Sequence, residues 1–494
     1  MKIKGLFTCL FILLAQLVFA NIITYPAPQS AFANTAYSIR VREAADAWQK
    51  VDVYSAKVAK VINAKTSVHK SAFAYFDCDG KVEVEVTLNN ALAKTVKVRP
   101  ASFGIKPVIS GKTIRFFMSV SQYISIEVNG EVYKNLQLFA NPIQKNIPLA
   151  TDTNVLYYGP GIHHIGRLNI PSNKTIYIAG GAIVQGSLIT DHAKNIRICG
   201  RGILTQLELD DVSGGKNTGN AGKQRSPRND ALSVKFSSNV KIEGIVVLPH
   251  KYSVLIGQSA DISISDLKSF SSEGNADGID IFCSSNIDIN HIYMRNSDDC
   301  IAIYGHRWDF YGNTRNVNIK NAILWADVAH PLLIGTHGDS IHPDTLENIN
   351  FTGINILEQN EMQMDYQGCI ALNAGDSNLL RKIAFDGVTV DHINKGQLIN
   401  IRVMFNQKYN TSPGKGIYDV YFKNITYNSP AEKLSLITGY DDTRLVKNIF
   451  FENLSIGGKL ITDNMDGKPS FYKTGDMAGM YVGEHVQNIK FVKR

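Results

Sequence analysis

Asn239-Val240-Lys241-Ile242, Asp261-Ile262-Ser263-Ile264, Asn286-Ile287-Asp288-Ile289 and Asn316-Val317-Asn318-Ile319 are four copies of one short phrase. A polar residue, most often Asn, is followed by an apolar, a polar and an apolar one. The phrase begins upstream, at Lys174-Thr175-Ile176-Tyr177-Ile178 and Asn195-Ile196-Arg197-Ile198. It runs on through Asn348-Ile349-Asn350-Phe351, Lys382-Ile383-Ala384-Phe385, Asp419-Val420-Tyr421-Phe422 and Asn448-Ile449-Phe450-Phe451. Between first apolar residues the spacings are 20, 44, 22, 25, 30, 32, 34, 37 and 29. The 44 fits two coils, or one coil carrying the loop 205–230. Short strands at a drifting period, with no helical pattern between them, predict a right-handed parallel β-helix. Alternate side chains would fill one continuous core and the others face out. The leading Asn would stack into a ladder or serve a turn. A sandwich would instead turn every 8–12 residues or so, and a leucine-rich repeat would keep a stricter period.

Upstream, residues 34–145 read differently. Lys81-Val82-Glu83-Val84-Glu85-Val86, Thr95-Val96-Lys97-Val98 and Ser125-Ile126-Glu127-Val128 alternate with period 2 and are bounded by turn residues such as Asn129-Gly130. That pattern predicts a β-sandwich, interrupted by a helical-looking patch over 44–58. The expected organisation is all-β: a sandwich over 21–150 as accessory domain, then the β-helix over 151–494. Lys2 and Lys4, an apolar run from Leu6 to Phe19 and Val18-Phe19-Ala20 before Asn21 read as a signal peptide over 1–20. Export, to a secreted or periplasmic location, is the expectation. No later stretch reaches the length of a membrane span.

The formal charge is +7, a mild basic excess that suits an acidic polymer without requiring one. Beyond the leader, Cys78, Cys199, Cys283, Cys300 and Cys369 are odd in number and widely spaced. Buried, unpaired thiols are expected rather than disulfides. There is no zinc-type His/Cys spacing and no glycine-rich phosphate loop, so neither metal nor cofactor nor nucleic acid is expected.

The chemistry concentrates in Gly274-Asn275-Ala276-Asp277-Gly278-Ile279-Asp280 and Asn296-Ser297-Asp298-Asp299-Cys300-Ile301-Ala302-Ile303. Asp277 and Asp298 stand about one coil apart, and stacked coils are roughly 4.8 Å apart. Three carboxylates, Asp277, Asp298 and Asp299, would then crowd one face. Such crowding raises proton affinity or calls for a cation, and it suits hydrolysis of a glycosidic bond, which needs an acid and a base together. Neighbours in a strand point oppositely, so Asp298 and Asp299 can share a site only if the chain bends there.

At these residues the sequence resembles the polygalacturonase family, glycoside hydrolase family 28. Asn275-Ala276-Asp277-Gly278-Ile279-Asp280 is similar to its N-T-D-G-x-D motif, and Ser297-Asp298-Asp299-Cys300-Ile301-Ala302 to its G-D-D-C-I-A motif. The resemblance implies inverting hydrolysis, with Asp298 as general acid and Asp277 and Asp299 activating water. Inversion normally goes with carboxyl groups roughly 6.5–9.5 Å apart. Ala329-His330-Pro331-Leu332-Leu333-Ile334-Gly335-Thr336 is similar to the family's G-H-G-x-S-x-G-S with both flanking glycines replaced, which makes His330 a group that tunes the acid. His337 is the lesser candidate.

The family's carboxylate-binding R-I-K is not recognisable. Arg402 is the nearest counterpart, with Met404 where the lysine would be, and Tyr440 parallels the family's substrate-contacting tyrosine. Trp308, Phe310 and Tyr311 follow the carboxylates and could stack on sugar rings. Lys216, Lys223, Arg225 and Arg228 could meet an acidic polymer. The expected partner is a polysaccharide of pectin type. The missing R-I-K keeps open a neutral α-glucan, because the two-domain layout also resembles the dextranases and isopullulanases of family 49. A polysaccharide lyase, or a non-catalytic glycan-binding β-helix, is the alternative of another class.

Overall fold

The computed structural model describes residues 21–29, 32–43, 46–62, 65–207, 230–363, 366, 368–430 and 433–494. The expected leader and the four basic residues of the 205–230 loop lie outside the described residues.

The ten phrases stack in register on one face of a parallel solenoid. Ile196, Val240, Ile262, Ile287, Val317, Ile349, Ile383, Val420 and Ile449 follow one another coil by coil. The spacing of 44 is therefore one coil carrying a loop. Ile176 pairs with Ile198 rather than Ile196, so the first step is 22 residues, not 20. An eleventh copy, Asn488-Ile489-Lys490-Phe491, continues the register beyond Ile449.

The leading Asn earns its recurrence through backbone and side chain at once. Asn195, Asn239, Asp261, Asn286, Asn316 and Asn348 all have φ between 53° and 59°. This left-handed conformation is tolerated best by Asn and Asp after glycine. Their side chains link coil to coil: Asn286 Nδ2 donates to Asp261 Oδ1 at 2.9 Å, Asn316 to Asn286 at 3.0 Å and Asn348 to Asn316 at 3.2 Å.

Each coil continues into two further faces. The second holds Ile203–Thr205, Val246–Leu248, Lys268–Phe270 and the far half of Ser285–Asn296. The third holds Leu232–Lys235, Val254–Gly257, Ile279–Phe282, Ile301–Tyr304, Leu332–Gly335, Ile370–Ala374, Ile399–Val403 and Ser435–Thr438. Inward side chains make one core along the axis. Within it Phe351, Phe385, Phe422, Phe451 and Phe491 stack with centroids 4.8, 5.1, 4.8 and 4.7 Å apart. Burying each Ile or Phe there contributes about 1.5–3 kcal/mol.

Residues 22–142 form two sheets packed face to face. Val82, Val84, Val86, Ile114 and Phe116 of one meet Ala72, Ala74, Phe76, Ile124 and Leu138 of the other. The patch over 44–58 is not helical: Gln49–Val51 and Tyr54–Ile62 are strands, because pairing with Tyr37–Arg42 and Lys65–Cys78 overrides its local propensity. All five described cysteines are buried and free.

The sandwich covers the second face of the solenoid. Phe73, Tyr123 and Phe139 pack on Phe270, Tyr293 and Trp325. Buried ions fix the seating. Arg295 donates to Asp327 at 2.9 and 3.0 Å, to Asn135 Oδ1 at 2.8 Å and to the Val132 carbonyl at 2.9 Å. Arg201 does the same toward Asp77 and the Pro142 carbonyl. Trp325 lies between the guanidinium groups of Arg99 and Arg295, 4.4 and 4.1 Å from its ring centroid.

Arg295→Ala is predicted to cost about 3–5 kcal/mol, because it strands the buried Asp327 carboxylate. Urea unfolding would measure the loss, and limited proteolysis should show faster cutting in the connection 143–154. A midpoint unchanged from the native protein would refute the role given to this pair.

Candidate active site

The entrance to the third face gathers the chemistry. Asp277 lies just before Ile279–Phe282, Asp298 and Asp299 just before Ile301–Tyr304, and His330 just before Leu332–Gly335. Gly278 N donates to the Asp299 carbonyl and Cys300 N to the His330 carbonyl, each at 2.8 Å, so these segments stack directly. Gly278 is required by this approach: a Cβ there would sit 2.2 Å from the Cys300 carbonyl oxygen.

Asp298 and Asp299 avoid the strand rule because they occupy a turn after Ser285–Asn296. The amides of Asn275 and Asp299 each donate to Asp298 at 3.1 Å. Oxygens of Asp277, Asp298 and Asp299 lie within 4.8 Å of one another. One coil step brings Asp277 to Asp298 and Asp299, and the turn brings the latter two together. Asp277 and Asp299 are buried, whereas Asp298 is partly exposed.

Such crowding shows in proton affinity. Burial, then Asp280, Asp298 and Asp299, holds the Asp277 carboxyl well above the usual range. Burial, then the charges of Asp299 and Glu361, raises Asp298 to about 7. His330 is fully buried, which by itself would lower its pKa. The Asp299 carboxylate, with Glu361 and the Tyr366 carbonyl, outweighs burial and raises it to about 9. His330 Nδ1 meets Asp299 Oδ1 at 2.7 Å and its backbone N–H meets the same oxygen at 3.0 Å. The other ring nitrogen, Nε2, faces the Tyr366 carbonyl. Tyr304 OH donates to Asp299 Oδ2 at 3.3 Å.

The remaining expected residues spread outward. Trp308 is 38% exposed, meets Phe282 edge-on at 5.1 Å, on the coil of Asp277, and carries the Arg307 guanidinium over its ring at 4.3 Å. Phe310 is buried against Phe282 and Phe236, a packing role. Tyr311 is exposed, over His306 at 4.1 Å. His337 lies beside Tyr304, with 5.0 Å between ring centroids. Arg402 stands on Ile399–Val403, three coils beyond Asp298 and so about 14 Å along the axis. Tyr440 follows the next strand, about 19 Å away. An oligosaccharide lying along the axis could reach both; the bond beside Asp298 does not touch them.

Sequence reasoning missed Asp280, Glu361, Tyr304 and Tyr366. Asp280 was visible inside the Asp277 motif. Tyr304 ends a strand and reads as packing. Glu361 and Tyr366 come from the long segment after Thr345–Asn360, where no spacing signals which side chain turns inward.

A model of glycosyl hydrolases family 28 matches residues 179–467, more than half of the chain. A probable polygalacturonase of Arabidopsis thaliana is 26% identical over 218 residues, 42% of this chain and 44% of that protein. A polygalacturonase of Juniperus ashei is 24% identical over 252 residues, 48% of this chain and 45% of that protein. The chain thus spans less than half the length of these curated relatives. Dex49A from Penicillium minioluteum shares the fold, with a TM-score of 0.60 over 95% of this chain and 96% of that one at 14% identity.

The electrostatics predict a pH-dependent gain in stability for Asp298→Asn. The native carboxyl binds its proton more tightly folded than unfolded, its pKa moving from 3.8 to about 7. Its contribution to stability is full below the unfolded value and is lost as pH rises through the folded one. Asn mimics the protonated acid and does not titrate. The variant should therefore melt higher than the native protein at about pH 8, with the gain near zero at about pH 4. An equal difference at both pH values would rule out this origin.

Proposed function

The chain belongs to glycosyl hydrolases family 28, and on that premise we propose that it hydrolyses glycosidic bonds of a pectin-type polysaccharide with three aspartates. The observation that carries this reading is the cluster Asp277, Asp298 and Asp299, whose oxygens lie within 4.8 Å of one another beside His330. Asp298 is the proton donor to the leaving oxygen, and Asp277 and Asp299 hold and deprotonate the attacking water. Proton affinity alone does not select the donor, since Asp277 is raised too. Access does: Asp298 is the one of the three that is partly exposed. With a pKa of about 7 it carries its proton in mildly acidic solution. Trp308 offers a ring to a sugar face, while Arg402 and Tyr440 would touch only a longer chain. The expected leader supports export.

Inversion follows from the family resemblance. A second reading, a neutral α-glucan as substrate, rests on Arg402, the counterpart of the family's carboxylate-binding arginine, which stands about 14 Å along the axis from Asp298. Reducing-sugar release from polygalacturonate, rhamnogalacturonan, dextran and pullulan, with and without chelator, separates the readings. Pectin-type cleavage should weaken with salt through screening and with Arg402→Ala. Unsaturated products that need calcium would point to a lyase instead.

Two predictions test the mechanism. Asp298→Asn should lower turnover of unactivated polymer by about 10²–10⁴-fold, and less for substrates with a good leaving group. Equal losses on both would count against Asp298 as donor. Proton NMR of the first product should show inverted anomeric configuration, and initial retention would sink the water-activating role of Asp277 and Asp299.

A further inference from the structure

The imidazole of His330 is surrounded by acceptors. Nδ1 faces a carboxylate oxygen of Asp299 at 2.7 Å, and Nε2 faces the backbone carbonyl of Tyr366. The carbonyl can only accept, as can Asp299 in its carboxylate form, whereas a neutral imidazole has a single N–H and one lone pair. The ring must therefore carry both protons to satisfy both contacts. It does so with no exposure to solvent, where an uncompensated cation is costly. Asp299 is one counter-ion, but it also accepts from the His330 amide and from Tyr304.

A second carboxylate stands on the opposite side of the sequence. Glu361 is buried, and its Oε2 lies 4.0 Å from the same Nδ1. Its other oxygen accepts from the Gln363 amide at 2.6 Å, which fixes the side chain facing inward. The groups around His330 are thus Asp299 and, beside it, Asp298 from the turn one coil back, with Glu361 and Tyr366 from the loop one coil on. Those around Glu361 are His330, Asp298, Tyr366 and Gln363.

We propose that Glu361 is a positioning residue of the catalytic centre: with Asp299 it holds His330 as an imidazolium that donates from both ring nitrogens. Fixed in this way, His330 orients Asp299 through two hydrogen bonds. The Glu361 charge also works against ionisation of Asp298, so the proton stays where the leaving oxygen needs it. Glu361 touches neither substrate nor the water in this scheme and acts through its neighbours.

The activity arm of the test rests on the hydrolase reading; the spectroscopic arm does not. In 15N-labelled native protein, His330 should show two ring N–H groups at about pH 7. Glu361→Gln should move its titration midpoint down by about one unit, and Glu361→Asp, which keeps the charge, should restore much of it. In turnover, Glu361→Gln should lower kcat about tenfold with KM little changed. The alkaline limb of its pH profile should shift toward acid by about one unit, since loss of the neighbouring charge lets Asp298 ionise earlier. A singly protonated His330 in the native protein would overturn the proposal. So would a Glu361→Gln variant whose His330 midpoint and alkaline limb match the native ones, whatever its kcat. A native protein that cuts no glycan defeats the hydrolase reading, and the His330 titration then decides this proposal alone.

Discussion

Every feature of this molecule depends on the backbone ladder between parallel coils, which ties each residue to the one a coil away. That constraint makes the Ile and Phe stacks of the core, since each inward side chain meets its counterpart above and below. It makes the Asn ladder, where identical side chains bond in file. It also makes the carboxylate cluster, because the turns before Ile279–Phe282, Ile301–Tyr304 and Leu332–Gly335 are stacked by the same bonds. Asp277, Asp299 and His330 cannot move apart without breaking it. The close carboxylate spacing is thus a property of the fold, imposed whatever the chemistry prefers.

Crowding of that kind opposes folding, and the surroundings show how it is tolerated. Burial and neighbouring charge raise the proton affinity of Asp277 and Asp298, and the buried His330 imidazole stands against Asp299. Neutral anchors complete the site: amides of Asn275 and Asp299 on Asp298, and the Tyr304 hydroxyl on Asp299. In the proposed mechanism such a cluster supplies a donor and a base together, as glycoside hydrolysis demands.

The sandwich plays a different physical part. It seals the second face, whose outward aromatics would otherwise be exposed. Buried pairs such as Arg295–Asp327 and Arg201–Asp77 add little net energy against a well-packed apolar contact. Their geometry permits one seating. Asp327 lies three residues before His330, and Asn360 directly precedes Glu361, so the interface and the centre share their loops.

The sequence by itself determined the periodic part of this protein. Alternation of apolar residues and the Asn repeat at coil spacing made the β-helix legible in linear text, apart from the first step of its register, and put Asp277 and Asp298 one coil apart. The patch at 44–58 was not legible, because strand pairing with distant segments outweighed local propensity there. Tertiary structure alone decided what the loops contribute. Glu361 and Tyr366 reach His330 from a segment without periodicity, and nothing in its spacing marks which side chain turns in. It also decided how far Arg402 and Tyr440 lie from the acid. Distance along the axis counts coils, and the coils between them differ in length because their loops do.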